Sequence, residues 1–245
     1  MGIKKKHPWR MIVFAIVLLG VGFCWWYVSD YYRADEVAMA AMKSEAGIVV
    51  EHKGKTTAFM PSVADTGLIF YPGGKVEAIA YAPLMKQLAN EGILCVLAEM
   101  PMNLAVLDVN AAEGIPEQYP QIERWFIGGH SLGGSMAASY AAKNSEVFDG
   151  LILLAAYSTA DLTKADLPVV SVYGSEDGVL NMEKYAEYSM NLPAALEEHM
   201  LGGGCHAGFG SYGPQVGDGI PSITGEEQIA QTTSLLVDFM AAHQN

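Results

Sequence analysis

Short, continuously apolar runs recur along the chain: GLIFYP (67–72), ILCVLAEM (93–100), RWFIGG (124–129), GLILLAA (150–156) and LPVVSVYG (167–174). A strand that is apolar on both faces must be covered on both, which a parallel sheet between two layers of helices provides. Parallel neighbours need a crossover, and stretches of helical pattern lie at 77–91, 103–113, 132–144, 181–191 and 225–243. The alternation predicts a doubly wound α/β fold with a mostly parallel sheet. GIVVEHK (47–53) and TTAFMP (56–61) read as a preceding hairpin pair, and AALEEHML (194–201) as a last strand. With no internal repeat and no Pro- or Ser-rich linker, residues 46–245 are expected to form one domain.

The N-terminus follows a different pattern. Residues 11–28, MIVFAIVLLGVGFCWWYV, carry no charge; as a helix they would extend roughly 27 Å, close to the thickness of a bilayer's hydrocarbon core. Lys4, Lys5, Lys6 and Arg10 precede the run and Asp30, Arg33, Asp35 and Glu36 follow it, a bias that orients the N-terminus toward the cytoplasm. Trp9 at one end and Trp25, Trp26, Tyr27, Tyr31 and Tyr32 at the other suit the headgroup zones. The reading is a cytoplasmic tip (1–10), a single-pass anchor in the cell membrane (11–28), a stalk (29–45) and an extracytoplasmic catalytic domain (46–245). A cleaved signal peptide is the alternative, with Ala38-Met39-Ala40 as its small-x-small site, but bulky aromatics fill the nearer positions.

Charge sharpens the division. The first ten residues hold four cations and no acid, so the formal charge of −13 on the whole chain becomes −17 on the remainder. So acidic a domain is no candidate for nucleic acid, which demands clustered Lys and Arg, nor for adhesion to anionic headgroups. Three cysteines, Cys24, Cys95 and Cys205, make neither a disulfide framework nor a zinc spacing, so no metal is expected.

The chemistry is concentrated in RWFIGGHSLGGSMAASYAAK, which contains Gly129-His130-Ser131-Leu132-Gly133, a GxSxG match. In a chain with 26 glycines the pattern alone is weak. Its setting is specific: an apolar strand runs into it and a small-residue helix leaves it, the strand-turn-helix of a nucleophile elbow. Ser131 then sits on a strained turn, and Gly129 and Gly133 relieve the crowding on either side.

A serine hydroxyl needs a base and an orienting acid, here in the chain order Ser, acid, His. His206 follows a strand in the glycine-rich LGGGCHAGFG and is the chosen base; His199 lies inside the strand itself, and His130 points off its strand beside Ser131. Asp177, in the loop after PVVSVYG, is the acid, with Glu176 its nearest rival. The oxyanion donors are the amide of Leu132 and one from the loop Pro72-Gly73-Gly74-Lys75, at Gly74 or Lys75. Lys75 is followed by Val76, with no glycine at the upstream spacing of a phosphate loop, and no GxGxxG follows the first strand, so no nucleotide cofactor is indicated.

Taken together, GLIFYPGGKVEAIAYAPLMKQLANEG, MPMNLAV (100–106), GGHSLGG, YGSEDG and GGGCHAGFGSYGPQVGDG resemble the α/β-hydrolase fold, within it the small lidless group related to dienelactone hydrolase, α/β-hydrolase family 5. The resemblance covers nearly all of 46–245 and implies Ser131, Asp177 and His206 as the triad. Cys205 and Gly208 depart from the polar and larger residues expected beside the histidine. Only YSTADLTKAD (157–166) separates the sixth and seventh strands, where larger relatives insert a lid. An open site suits a small acyl substrate, with Met100, Asn103, Phe209 and Tyr212 as candidate contacts. The expected activity is hydrolysis of a carboxylic ester. Thioesterase, lactonase, amidase or acyltransferase chemistry uses the same apparatus, and a non-catalytic extracytoplasmic binding module is the alternative of another class. Oligomeric state is not legible.

Overall fold

The computed structural model describes residues 8–243, which fall into two units, one ending at Tyr31 and one beginning at Tyr32. The first is helix α1 (Pro8–Ser29), of which Trp9–Ser29 is long and apolar enough to cross a membrane. Its aliphatic side chains and Trp25 and Trp26 are exposed. The cytoplasmic tip at 1–7 lies outside the described residues.

The second unit is built on an eight-stranded sheet: β1 (Ile48–Lys53), β2 (Thr56–Pro61), β3 (Thr66–Tyr71), β4 (Ile93–Ala98), β5 (Arg124–His130), β6 (Gly150–Leu154), β7 (Val169–Gly174) and β8 (Leu196–Leu201). Their order is β1-β2-β4-β3-β5-β6-β7-β8, antiparallel at β1-β2 and β2-β4 and parallel thereafter. The apolar runs account for this. β3, β4 and β6 are buried at every position, and their alternate side chains feed two cores, one on each face. Phe70, Leu97 and Phe126 belong to one core; Ile69, Val96 and Ile127 belong to the other. Around the sheet lie α2 (Glu36–Ala41), α3 (Ala82–Asn90), α4 (Leu132–Ala141), α5 (Met182–Tyr188) and α6 (Gly225–Ala242). The last is opened by a capping box between Thr224 and Glu227.

Two expectations are corrected. The helix predicted over 103–113 is a chain of turns, because Met102 and Asn103 have φ of 55° and 56° and the Tyr71 hydroxyl bonds the Val109 carbonyl and Ala112 amide. Those long-range bonds take up backbone groups that a helix would have paired internally. The stretch expected as a stalk is, from Tyr32 onward, part of the second unit. Tyr32 N–H donates to the Lys75 carbonyl, Asp35 N–H donates to the Ser211 carbonyl and its side chain caps α2, and Ala38 is fully buried.

Candidate active site

Among the described residues five that are not glycine have φ in the left-handed region: Lys75, Met102, Asn103, Ser131 and Ala155. All lie just past the carboxyl ends of β3, β4, β5 and β6, so the backbone strain of this domain is gathered along one edge of the sheet. Ser131 is the sharpest case, with φ 52° and ψ −123° between the last residue of β5 and the first of α4. Glycine is obligatory around it. A Cβ at Gly129 would lie 2.6 Å from the Tyr71 carbonyl oxygen, and one at Gly133 would strike the Tyr71 and Pro72 carbonyls. Ser131 is left half-buried at the head of α4.

His206 and Asp177 meet below the surface. His206 Nδ1 lies 2.8 Å from Asp177 Oδ2, and both side chains are 1% exposed. A carboxylate only accepts, so the proton is on Nδ1 and Nε2 keeps its lone pair. That Nε2 is buried without a hydrogen-bond partner among the described residues, Ser131 Oγ included. Asp177 is aimed by its own loop, its Oδ1 accepting from Val179 N–H at 2.9 Å and Leu180 N–H at 2.7 Å. Glu176 is exposed and takes the Ser175 hydroxyl instead. His199 lies within β8, paired with Val172, away from this loop.

Of the two amides weighed on the β3 loop, the structure separates one from the other. Lys75 N–H donates to the Asn103 carbonyl at 2.7 Å and Gly73 N–H to the Tyr81 hydroxyl at 3.0 Å, whereas no described residue accepts from Gly74 N–H. The expectation at Lys75 is therefore corrected: its amide is already engaged. Leu132 is the first residue of α4, so its N–H has no intrahelical acceptor. Gly74 and Leu132 are in contact, since a Cβ on Gly74 would fall 2.9 Å from Leu132 Cδ2 and 3.3 Å from its Cβ.

The expected substrate contacts fare differently. Phe209 is fully buried under the His130 ring, 5.6 Å between centroids, and Met100 and Tyr212 belong to the two cores, so these three pack the domain instead of walling an open pocket. Asn103 stays at the edge, where its carbonyl fixes Lys75. A cavity of about 730 Å³ lies behind the histidine loop, lined by Val37, Pro83, Ala207, Ile220 and Ile229 and not by Ser131.

Residues beyond the sequence reading complete the site. Asp218 accepts from four backbone amides, those of Gly178 (3.1 Å), His206 (3.1 Å), Ala207 (2.8 Å) and Gly219 (2.9 Å), and so ties the Asp177 loop to the His206 loop. Burial by itself pushes this carboxyl up, but the four amides outweigh it and hold it below the ordinary carboxylate range. Its only signal in the sequence is the third Asp-Gly of the chain, in Gly217-Asp218-Gly219. Gln228 braces the same loop through both ends of the Cys205 peptide unit, at 3.0 and 2.8 Å, and a side chain at Gly208 would collide with its amide, which explains the glycine there. Burial pushes the Cys205 thiol up to about 11, so it is a packing residue and no thiolate. Among the described residues no cluster of His, Cys, Asp or Glu could hold a metal ion.

A model of the alpha/beta hydrolase family matches residues 67–230. Among solved structures, Est1E from Butyrivibrio proteoclasticus is similar at 14% identity and a TM-score of 0.58, over 80% of this chain and 98% of that one. A thermostable esterase from Pseudomonas putida is similar at 15% identity and 0.58, over 82% and 86%. Dienelactone hydrolase from Anabaena variabilis is similar at 13% identity and 0.56, over 79% and 96%. At these identities the likeness is one of fold. No curated protein sequence matches. The family match runs from β3 into α6 and takes in the elbow, the acid loop and the histidine loop; the chain belongs to the alpha/beta hydrolase family.

Proposed function

We propose that this protein is a membrane-anchored serine hydrolase that cleaves a small acyl ester. Ser131 attacks the acyl carbonyl, His206 Nε2 takes the hydroxyl proton, and Asp177 steadies the imidazolium so formed through Nδ1. The Leu132 and Gly74 amides receive the charge that develops on the carbonyl oxygen. His206 then returns its proton to the leaving alcohol, and water, activated by the same imidazole, releases the acyl group from Ser131.

The observation that carries the reading is the buried 2.8 Å pair of His206 and Asp177, which points a basic nitrogen away from the carboxylate and holds it free of other partners. The Ser131–His206 contact is open in the free protein, as catalytic hydrogen bonds often are before substrate tightens them. The loop from Ala155 to Pro168 contains no regular element, which supports an uncapped site and a small substrate. The esterase and the dienelactone hydrolase among the similar folds support ester chemistry. The long apolar α1 supports anchoring, and the basic residues before it support an extracytoplasmic domain.

A fluorophosphonate probe on the detergent-solubilised chain tests the chemistry. Wild type is expected to label and Ser131→Ala to be silent, with ester turnover down by about 10⁴-fold or more. Absent labelling of wild type, or equal labelling of both, overturns the reading. External protease on intact cells is expected to remove the domain; protection there would reverse the topology.

A further inference from the structure

Two buried groups have no part in the steps above. Tyr81 Oη lies 2.7 Å from His130 Nδ1 and accepts the Gly73 N–H at 3.0 Å, and both side chains are shut away from solvent. The Tyr81 hydroxyl carries one proton and has no other acceptor among the described residues, so that proton goes to His130 Nδ1. His130 is then the neutral ring protonated at Nε2, an atom buried with no acceptor at hydrogen-bond distance among the described residues. The fit is close: a Cβ on Gly73 would lie 2.7 Å from the Tyr81 oxygen and 2.8 Å from His130 Nδ1.

These contacts fall one residue from each reacting group. Gly73 precedes Gly74 and His130 precedes Ser131, while the His130 ring stands 4.4 Å from the His206 ring, between centroids. One imidazole thus touches the β3 loop, the elbow and the histidine loop. We propose that Tyr81 and His130 are positioning residues for the oxyanion hole: the hydroxyl holds the Gly73 peptide so that Gly74 N–H stays beside Leu132 N–H, and the His130 ring locks that loop to the elbow and backs His206. The proposal rests on Ser131 acting as the nucleophile, but its hydrogen-bond direction does not.

Kinetics on the full chain separate this from a packing role. Tyr81→Phe removes one oxygen, and His130→Leu removes the acceptor. Each is expected to lower kcat about 10- to 100-fold with KM changed less than about twofold, because the lost alignment acts on the transition state. His130→Asn places an amide oxygen where Nδ1 was and is expected to recover most of the loss, whatever its melting temperature. Nitrogen NMR of His130 is expected to show the proton on Nε2 from about pH 5 to 9. A wild-type kcat in Tyr81→Phe, a His130→Asn variant as slow as His130→Leu, or a proton on Nδ1 overturns the proposal. Should wild type fail to label with fluorophosphonate, the serine reading falls and the NMR result still decides the Tyr81–His130 contact.

Discussion

The two sides of the Ser131 edge are tied down by opposite means. On the acid side a charged group does the work: the Asp218 carboxylate collects four amides and joins the Asp177 loop to the His206 loop. On the oxyanion side the tie is the neutral Tyr81–His130 pair. The difference follows from the charge each side must tolerate. On the proposed mechanism positive charge develops on the acid side, so a charge-assisted clamp on the backbone amides is tolerated there. On the same mechanism, a fixed negative charge beside the oxyanion would oppose the charge developing on the substrate, and a neutral clamp would leave the Leu132 and Gly74 amides effective. Burial first, and then the neighbouring His206 imidazole, hold His130 well below the ordinary histidine range, while the His206 backbone carbonyl opposes them.

The comparison can be broken from either side. Asp218→Ala strips the acceptor from four amides and is expected to lower kcat by about 10²- to 10³-fold. It should also cost about 2–3 kcal/mol of stability, read as a melting temperature some 5–10 °C lower. Melting that stays at the wild-type value would show that the acid side does not need its charge. Gly74→Ala comes next: its methyl group meets Leu132 at 2.9 Å, so kcat is expected to fall about 10²-fold while fluorophosphonate still finds Ser131. An unchanged kcat would remove Gly74 from the oxyanion hole.

The smallest effects are in pH dependence, and their windows differ. Asp218 is held below its unfolded value, so its stabilisation is complete above about pH 3.9 and fades as pH falls through the lower folded value. Asp218→Asn should abolish that acid-side loss in a plot of melting temperature against pH. His130 stays neutral in the fold, facing the Tyr81 hydroxyl and the His206 ring, while the unfolded chain takes up a proton below about pH 6.5. Stability should therefore fall below that pH by up to about 1.4 kcal/mol per unit, and His130→Asn should flatten the fall. An identical slope in the variant would mean that His130 is protonated in the fold.

Much of the sheet edge was legible in one dimension. The apolar runs located β3 to β7 within a few residues, since burial on both faces leaves no polar alternation to misplace. Asp177 and His206 were found by chain order, and they do meet. The helix expected at 103–113 failed where Tyr71, a partner far off in sequence, takes the Val109 carbonyl and the Ala112 amide; its other backbone bonds are short turns. Phe209 and Tyr212, chosen for their position in a glycine-rich loop, proved to be core, because that loop folds inward against Tyr81 and His130.

The sequence by itself therefore determined the layered sheet, the long apolar N-terminal helix and the elbow that carries Ser131, all of which depend on local pattern: runs of burial, helical length, and glycines at fixed offsets. Only the tertiary structure showed the Lys75 amide engaged and the Gly74 amide not, made Tyr32–Glu45 part of the domain, and brought in Asp218 and the Tyr81–His130 contact. Those decisions turn on which amide already has a partner and which buried group completes another's hydrogen bonds. Such partners come from loops that lie far apart in the chain, as Tyr81 and His130 do, and meet only when the sheet closes.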